Sequence, residues 1–136
     1  MTQFLLETTE KLTVRSYSEG EIIIALSGNN PAENGIQNTQ CMTSSFIMTP
    51  SQIIPDWNYD SVCDLSSDSF QAIIAEQPEL VILGTGAKLS FPEHQALSSL
   101  HQAGIGVEVM NTSSACRTFN VLASENRYVV AGFLMI

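Results

Sequence analysis

The sequence has few basic residues. Its 136 residues include 5 Lys and Arg against 14 Asp and Glu, a net charge of -9. Nucleic-acid binding depends on a basic patch, and anionic membrane surfaces attract basic segments, so this balance argues against both kinds of partner. Because the chain is 44% hydrophobic, we interpret its acidic surface mainly as a means of staying in solution.

Paired cysteines and long apolar runs are also missing. Cys41, Cys63 and Cys116 are an odd, scattered set without a C-x-x-C pair, which argues against a disulfide framework and a structural zinc site. No apolar run approaches the ~20 residues of a membrane span, and the opening MTQFLLETTEKL lacks the apolar core of a signal peptide. His94 and His101 have no neighbouring carboxylate motif and are expected in solvent. We therefore expect a cytoplasmic protein without membrane insertion or a metal site.

The N-terminal half predicts β-structure. Residues 12–26, LTVRSYSEGEIIIAL, place two β-rich runs around a Ser-Glu-Gly-Glu turn, which is typical of a β-hairpin. Residues 27–40 are rich in Gly, Asn and Pro and predict a loop. Residues 44–49, SSFIMT, predict a strand, whereas residues 51–60 show no regular pattern and supply Trp57 as a hydrophobic plug.

The C-terminal half alternates helices and strands. Helical patterns cover residues 66–77, 92–103 and 112–124, and strand patterns cover residues 80–84, 106–110 and 127–136. Right-handed crossovers make the first two of these strands parallel neighbours. We predict a single α/β domain over residues 1–136, with a βαβαβ C-terminal half. Its mixed sheet takes in the N-terminal hairpin and strand 44–49, and helices pack on it.

A glycine-containing loop follows the apolar strand in VILGTGAKLSFPEH, residues 81–94. The dinucleotide fingerprint G-x-G-x-x-G needs a third glycine, but Leu89 occupies that position, and Lys88 does not have P-loop spacing. We favour a structural corner for Gly84, Thr85 and Gly86. The alternative is a loop whose exposed amides, with Lys88, receive an anion.

A second loop, NTSSACR at residues 111–117, follows the next parallel strand. Loops at the carboxyl ends of adjacent parallel strands share a crevice, so residues 84–91 and 111–117 are expected to line one. Asn111, Thr112 or Ser113 would cap the helix that begins here.

Cys116 and Arg117 lie near that helix start, and each has two interpretations. Cys116 is either a small buried hydrophobe or a thiol whose pKa is lowered by the helix and the guanidinium. Arg117 either pairs with a carboxylate such as Glu108 or holds an anion.

The segments PELVILGTGAKLSFP and GIGVEVMNTSSACRTFNVLASENR closely resemble a family described as a domain of unknown function. That family includes bacterial and archaeal proteins, the adipogenesis-associated domain protein and mitochondrial respiratory complex I assembly factor 3. The resemblance implies a compact three-layer α/β fold with a mixed central sheet, and no established reaction. This chain differs in a longer segment around residues 29–40, and in Asn111 where the family pattern has aspartate. The family's motif residues correspond to Gly84, Thr85, Gly86, Phe91, Pro92, Gly104, Glu108, Cys116, Arg117 and Asn120.

Two functional hypotheses follow. The first is a non-enzymatic interaction or assembly module similar to complex I assembly factor 3, with a protein partner and no cofactor. The alternative is a binder of small anions or nucleotide-like ligands in the crevice of residues 84–91 and 111–117, with thiol chemistry at Cys116. The residues assigned to that crevice are Gly84, Thr85, Gly86, Lys88, Asn111, Cys116 and Arg117.

Overall fold

A computed structural model describes residues 11–27 and 39–136. The expectation about the first ten residues therefore lies outside the described residues, as does most of the loop predicted over residues 27–40. The two ends of that predicted loop are described, and both belong to strands.

The N-terminal β-hairpin is confirmed. Strands β1 (Lys11–Ser18) and β2 (Glu21–Ser27) pair antiparallel through a two-residue turn, since Ser18 faces Glu21. The turn contains Gly20 at φ 84, a conformation that glycine adopts without steric cost. A third strand, β3 (Thr39–Met42), extends this sheet beside β2. Its predominantly exposed TQCM sequence carries no strand pattern, which is why sequence reasoning missed it.

The central sheet has five strands in the order β5-β4-β8-β6-β7. Strand β6 runs parallel to both β7 and β8, whereas β4 runs antiparallel to β8 and β5, so the predicted mixed sheet is confirmed. The N-terminal hairpin is not part of it, contrary to our expectation, but lies in the separate three-stranded sheet. The strand bounds are β4 (Phe46–Thr49), β5 (Gln52–Ile54), β6 (Leu80–Gly84), β7 (Gly106–Met110) and β8 (Val129–Phe133).

Strand β5 corrects the interpretation of residues 51–60 as wholly irregular. Its three residues pair with β4 around a tight turn in which Thr49 faces Gln52. Trp57 does act as a plug: it is buried, and its indole N–H donates to the Ser69 carbonyl at 2.7 Å. A side chain at Gly132 would meet the Trp57 ring at 2.7 Å, so glycine is required there for the ring to reach the sheet.

The three predicted helices are present, but two of them begin as 3₁₀ helices. Ser67–Phe70 is 3₁₀ and continues into α1 (Gln71–Ile74), and His94–Leu97 is 3₁₀ and continues into α2 (Ser98–Gln102). Helix α3 covers Thr112–Ser124, as predicted. A further 3₁₀ turn spans Val62–Asp64.

These elements form three layers. One face of the five-stranded sheet packs against α3 and the three-stranded sheet through a cluster that includes Phe46, Phe119 and Phe133. The other face packs against the short helices through a cluster that includes Phe70 and Leu100. The five-stranded sheet is therefore the shared middle layer, and the predicted α/β fold class is confirmed. No helix in residues 11–27 or 39–136 is both long and apolar enough to cross a bilayer.

Candidate functional site

The glycine-containing turn at the end of β6 is organised by Thr85. Its backbone N–H donates to the Met110 carbonyl at 2.9 Å, which joins the turn to the end of β7. Its hydroxyl donates to the Lys88 carbonyl at 2.7 Å and accepts from the Ser90 N–H at 3.2 Å. Thr85 is buried, so one side chain fixes the path of the chain from residue 85 to residue 90.

Thr112 connects this turn to the start of α3. Its hydroxyl accepts from the Gly86 N–H at 2.7 Å, and its own N–H donates to the Gly86 carbonyl at 2.9 Å. The same hydroxyl lies 3.4 Å from the Leu134 carbonyl, to which it donates. The amides of residues 86 and 112 are therefore satisfied inside the protein and are not available to an anion.

The segment that follows β8 forms hydrogen bonds with both loops. The Leu134 N–H donates to the Gly84 carbonyl at 2.9 Å, and the Ala87 N–H donates to the Ile136 carbonyl at 3.4 Å. A Cβ placed on Gly86 would lie 2.6 Å from the Ile136 carbonyl oxygen. The close approach that glycine permits at Gly86 is thus an approach of the protein's own main chain.

The second loop is an ordinary helix start in its geometry. The Asn111 side chain accepts from the Ser114 N–H at 2.8 Å, so Asn111 is the N-cap residue of α3. The exposed Arg117 guanidinium donates to the hydroxyls of Ser113 and Ser114, at 2.9 and 3.3 Å. In the part of the chain that the structure describes, the one ion pair joins Arg127 and Glu79, so Arg117 forms no ion pair with Glu108.

Cys116 is oriented into the core. It belongs to the cluster beneath α3 and is 4% exposed. Burial raises the pKa of its thiol from 9.0 to about 12, and the neighbouring Arg117 charge lowers it only in part. The electrostatic environment thus favours the neutral thiol, which is the first of the two interpretations given above. Cys41 and Cys63 are the exposed cysteines.

The outer part of the 84–91 loop carries apolar side chains into solvent. Leu89 is 52% and Phe91 is 69% exposed, and Lys88 beside them is exposed as well. Ile136, which lies against Gly86, is 41% exposed. Sequence reasoning missed this surface, because apolar residues close to a buried strand are ordinarily expected in the core.

The predicted residues thus occupy three different environments. Gly84, Thr85, Gly86 and Asn111 lie at the carboxyl ends of β6 and β7. Lys88 and Arg117 are exposed, and Cys116 is buried. The rings of His94 and His101 lie 5.9 Å apart on exposed positions. Residues 11–27 and 39–136 contain no group of three or more potential metal-binding side chains.

The fold and this edge define a class of protein: a three-layer α/β domain in which a Gly-Thr-Gly turn, the N-terminus of a helix and the segment after the last strand join at one end of a mixed sheet. Residues 14–134 match the family described as "Protein of unknown function (DUF498/DUF598)", and the chain belongs to that family.

The curated relatives include complex I assembly factors. The chain is 31% identical over 134 residues to NADH dehydrogenase (ubiquinone) 1 alpha subcomplex assembly factor 3 of Danio rerio, covering 94% of this chain and 72% of that protein. It is 35% identical over 94 residues to the Homo sapiens protein of the same name, covering 65% of this chain and 51% of that one. The match thus spans about half the length of the human relative.

Solved structures share the fold. A Bordetella parapertussis protein, known from a crystal structure, superimposes with a TM-score of 0.76 at 26% identity, covering 93% of this chain and 98% of that one. A Xanthomonas campestris protein solved by NMR gives a TM-score of 0.73 at 28% identity, covering 91% and 84%.

Proposed function

We propose that this protein is a non-enzymatic assembly module that binds a protein partner through the docking loop, defined as residues 87–91. The observation that carries the proposal is the exposure of Leu89 and Phe91, at 52% and 69%, on a loop whose base is held by hydrogen bonds to the buried Thr85. Single exposed apolar residues are common, but a group of them on an ordered loop is typical of a contact surface.

Relatives support a role of this kind. Several curated relatives are named as assembly factors of a multisubunit complex, and assembly factors work by contacting other proteins. The internal use of the Gly86 and Thr112 amides also favours a structural role for the glycine-containing turn over a ligand-binding one.

The test uses a photo-crosslinking amino acid placed at position 91 and, as a control, at position 121. Val121 is 55% exposed on α3 and does not belong to the docking loop. We expect position 91 to crosslink a distinct partner that position 121 does not. With that partner purified, Phe91→Ala combined with Leu89→Ala should weaken binding at least about 10-fold, since buried aromatic anchors dominate interfaces.

The Val121→Ala variant should bind that partner with unchanged affinity. Equal crosslinking at positions 91 and 121, or equal affinity of the double variant and the wild type, would show that the docking loop is not the contact surface.

The second candidate is an anion binder at the start of α3, which is favoured by the exposed Arg117 beside the N-terminus of a 13-residue helix. Inorganic phosphate should then raise the melting temperature of the wild type, and Arg117→Ala should abolish that shift. Arg15→Ala is the control, because Arg15 is also exposed but lies on β1. An equal shift in both variants, or none in the wild type, rejects this candidate.

We also propose a cytoplasmic location, because a net charge of -9 disfavours attraction to anionic membrane surfaces. One relative, 33% identical over 70 residues, is named a 13 kDa major membrane protein of Francisella tularensis. Fractionation of native cells decides between the cytoplasm and the membrane. Recovery in the membrane pellet after a salt wash would contradict the proposal.

A further inference from the structure

The docking loop begins, at Ala87, next to residues 134–136, which follow β8. We call Leu134–Ile136 the strap, because it leaves β8 and lies across the glycine-containing turn. Leu134 is held by the Gly84 carbonyl at 2.9 Å, and the Met135 N–H donates to the Ser45 hydroxyl at 2.9 Å. Ser45 is itself buried and donates to the Tyr59 carbonyl. The first two strap residues are thus attached to the middle layer.

The third strap residue is attached to the docking loop. The Ile136 carbonyl accepts from the Ala87 N–H, and the Ile136 Cγ1 would lie only 2.7 Å from a Cβ placed on Gly86. Gly86 has φ +98 and so has two reasons to be glycine: its backbone conformation and the space the strap occupies.

Thr112 forms hydrogen bonds with both the glycine-containing turn and the strap. Its hydroxyl accepts from Gly86 and donates to Leu134, so the turn and the strap share one buried anchor. Beyond Ala87, the loop is fixed by the Thr85 hydroxyl, and it then presents Leu89 and Phe91 to solvent.

We propose that the strap is a conformational device that sets the position of the docking loop, so that strap attachment and partner binding are coupled. The proposal rests on the function proposed above, since it assigns the loop's contact role to Leu89 and Phe91. A loop held in its binding geometry loses less conformational entropy on association. By linkage, a partner that selects this geometry must also strengthen strap attachment.

Amide hydrogen exchange of the free protein tests the strap without a partner. Gly86→Ala should detach Ile136, because the added Cβ meets a main-chain oxygen at 2.6 Å. Gly104→Ala is the matched control: Gly104 also has positive φ, at +75, but no atom lies within 4 Å of the added Cβ. We expect exchange of the amides of residues 87–91 to be at least about 10-fold faster in Gly86→Ala than in Gly104→Ala. The amides of Val81–Leu83 should exchange alike in both variants.

A milder variant keeps the test valid if Gly86→Ala fails to fold. Ile136→Gly removes only a side chain that is 41% exposed, and it should also accelerate exchange in residues 87–91 while leaving the urea midpoint nearly unchanged. Unaltered exchange in that loop for either folded variant overturns the strap proposal.

Failure of the docking proposal would look different. In that case the exchange effects remain, but Phe91→Ala binds the crosslinked partner as tightly as the wild type does. If both proposals hold, Ile136→Gly weakens partner binding several-fold although it leaves Leu89 and Phe91 in place.

Discussion

At the scale of single residues, Cys116 gives a pH dependence with a definite sign. Its thiol has a pKa of about 12 in the folded protein, because burial penalises the thiolate, against 9.0 without burial. Between these two values the unfolded chain releases a proton that the folded protein retains. This raised pKa therefore contributes stability below about pH 9, and the contribution is lost as pH rises towards 12. The loss is at most about 1.4 kcal/mol per pH unit.

The measurement is the free energy of unfolding in urea from pH 8 to pH 11 for the wild type and Cys116→Ala. The other alkaline groups titrate in both proteins, so the difference between the two isolates Cys116. We expect the stability advantage of the wild type to shrink above pH 9. In the native state at pH 8, iodoacetamide should modify the exposed Cys63 and leave Cys116 unmodified. A pH-independent difference, or rapid labelling of Cys116, would contradict this assignment.

The sequence predicts the local contacts of the site but not the contacts between distant residues. The N-cap role of Asn111 is local, since the capping side chain and the Ser114 N–H that donates to it are three residues apart, and the sequence pattern includes Asn111 among its candidates. The anchoring role of Thr112 is not local: its partners at Gly86 and Leu134 are 26 and 22 residues away. No short pattern encodes contacts of that separation, so the hydrogen bonds that join the strap to both loops could not be predicted.

At the scale of elements, helix α3 replaces a missing strand neighbour of β1. The pairing of β1 with β2 shifts register between Val14 and Ser16, which is a β-bulge at Arg15. At this irregularity the Asn120 amide accepts from the Val14 N–H at 2.9 Å and donates to the Val14 carbonyl at 2.8 Å. One side chain therefore satisfies both backbone groups of a buried strand residue and fixes the three-stranded sheet against α3.

Asn120→Ala should destabilise the protein by about 2 kcal/mol, since it leaves two backbone groups without partners and each costs about 1 kcal/mol or more. Ser124→Ala is the control on the same helix: its hydroxyl donates to the Val121 carbonyl within the same helical turn, and the site is exposed. That change should stay within about 0.5 kcal/mol. Urea unfolding measures both, and equal stability of the two variants would show that the Asn120 bridge does not hold the layers together.

The positions of helices and strands were predictable where apolar residues recur at helical spacing or form a continuous run. Strands β6 and β7 and helix α3 have the bounds that their sequences predict. The short elements were not predictable in detail, because β3 and β5 have four and three residues and gain their stability from neighbours. The 3₁₀ starts of the two other helices likewise depend on packing against each other, which a helical period does not reveal.

At the scale of the whole molecule, the middle sheet is the structure that both outer layers share. Val81, Ile82 and Leu83 of β6 are all fully buried, and their side chains alternate between the two core clusters. Neither cluster can therefore remain intact if this sheet separates. The sequence indicates this arrangement through the continuous apolar run of β6, which is typical of a strand covered on both faces.

This shared sheet predicts that the whole chain unfolds in one cooperative transition, which tests the expectation of a single domain over residues 1–136.

Two probes report on opposite layers. The fluorescence of Trp57, the one tryptophan of the sequence, follows the short-helix layer, and thiol labelling of Cys116 follows the layer of α3. Their urea midpoints should coincide within error, as two-state unfolding requires. Labelling of Cys116 at a clearly lower urea concentration than the Trp57 transition would mean that α3 and the three-stranded sheet detach first. Coincident midpoints therefore require that the central sheet itself holds the layers together.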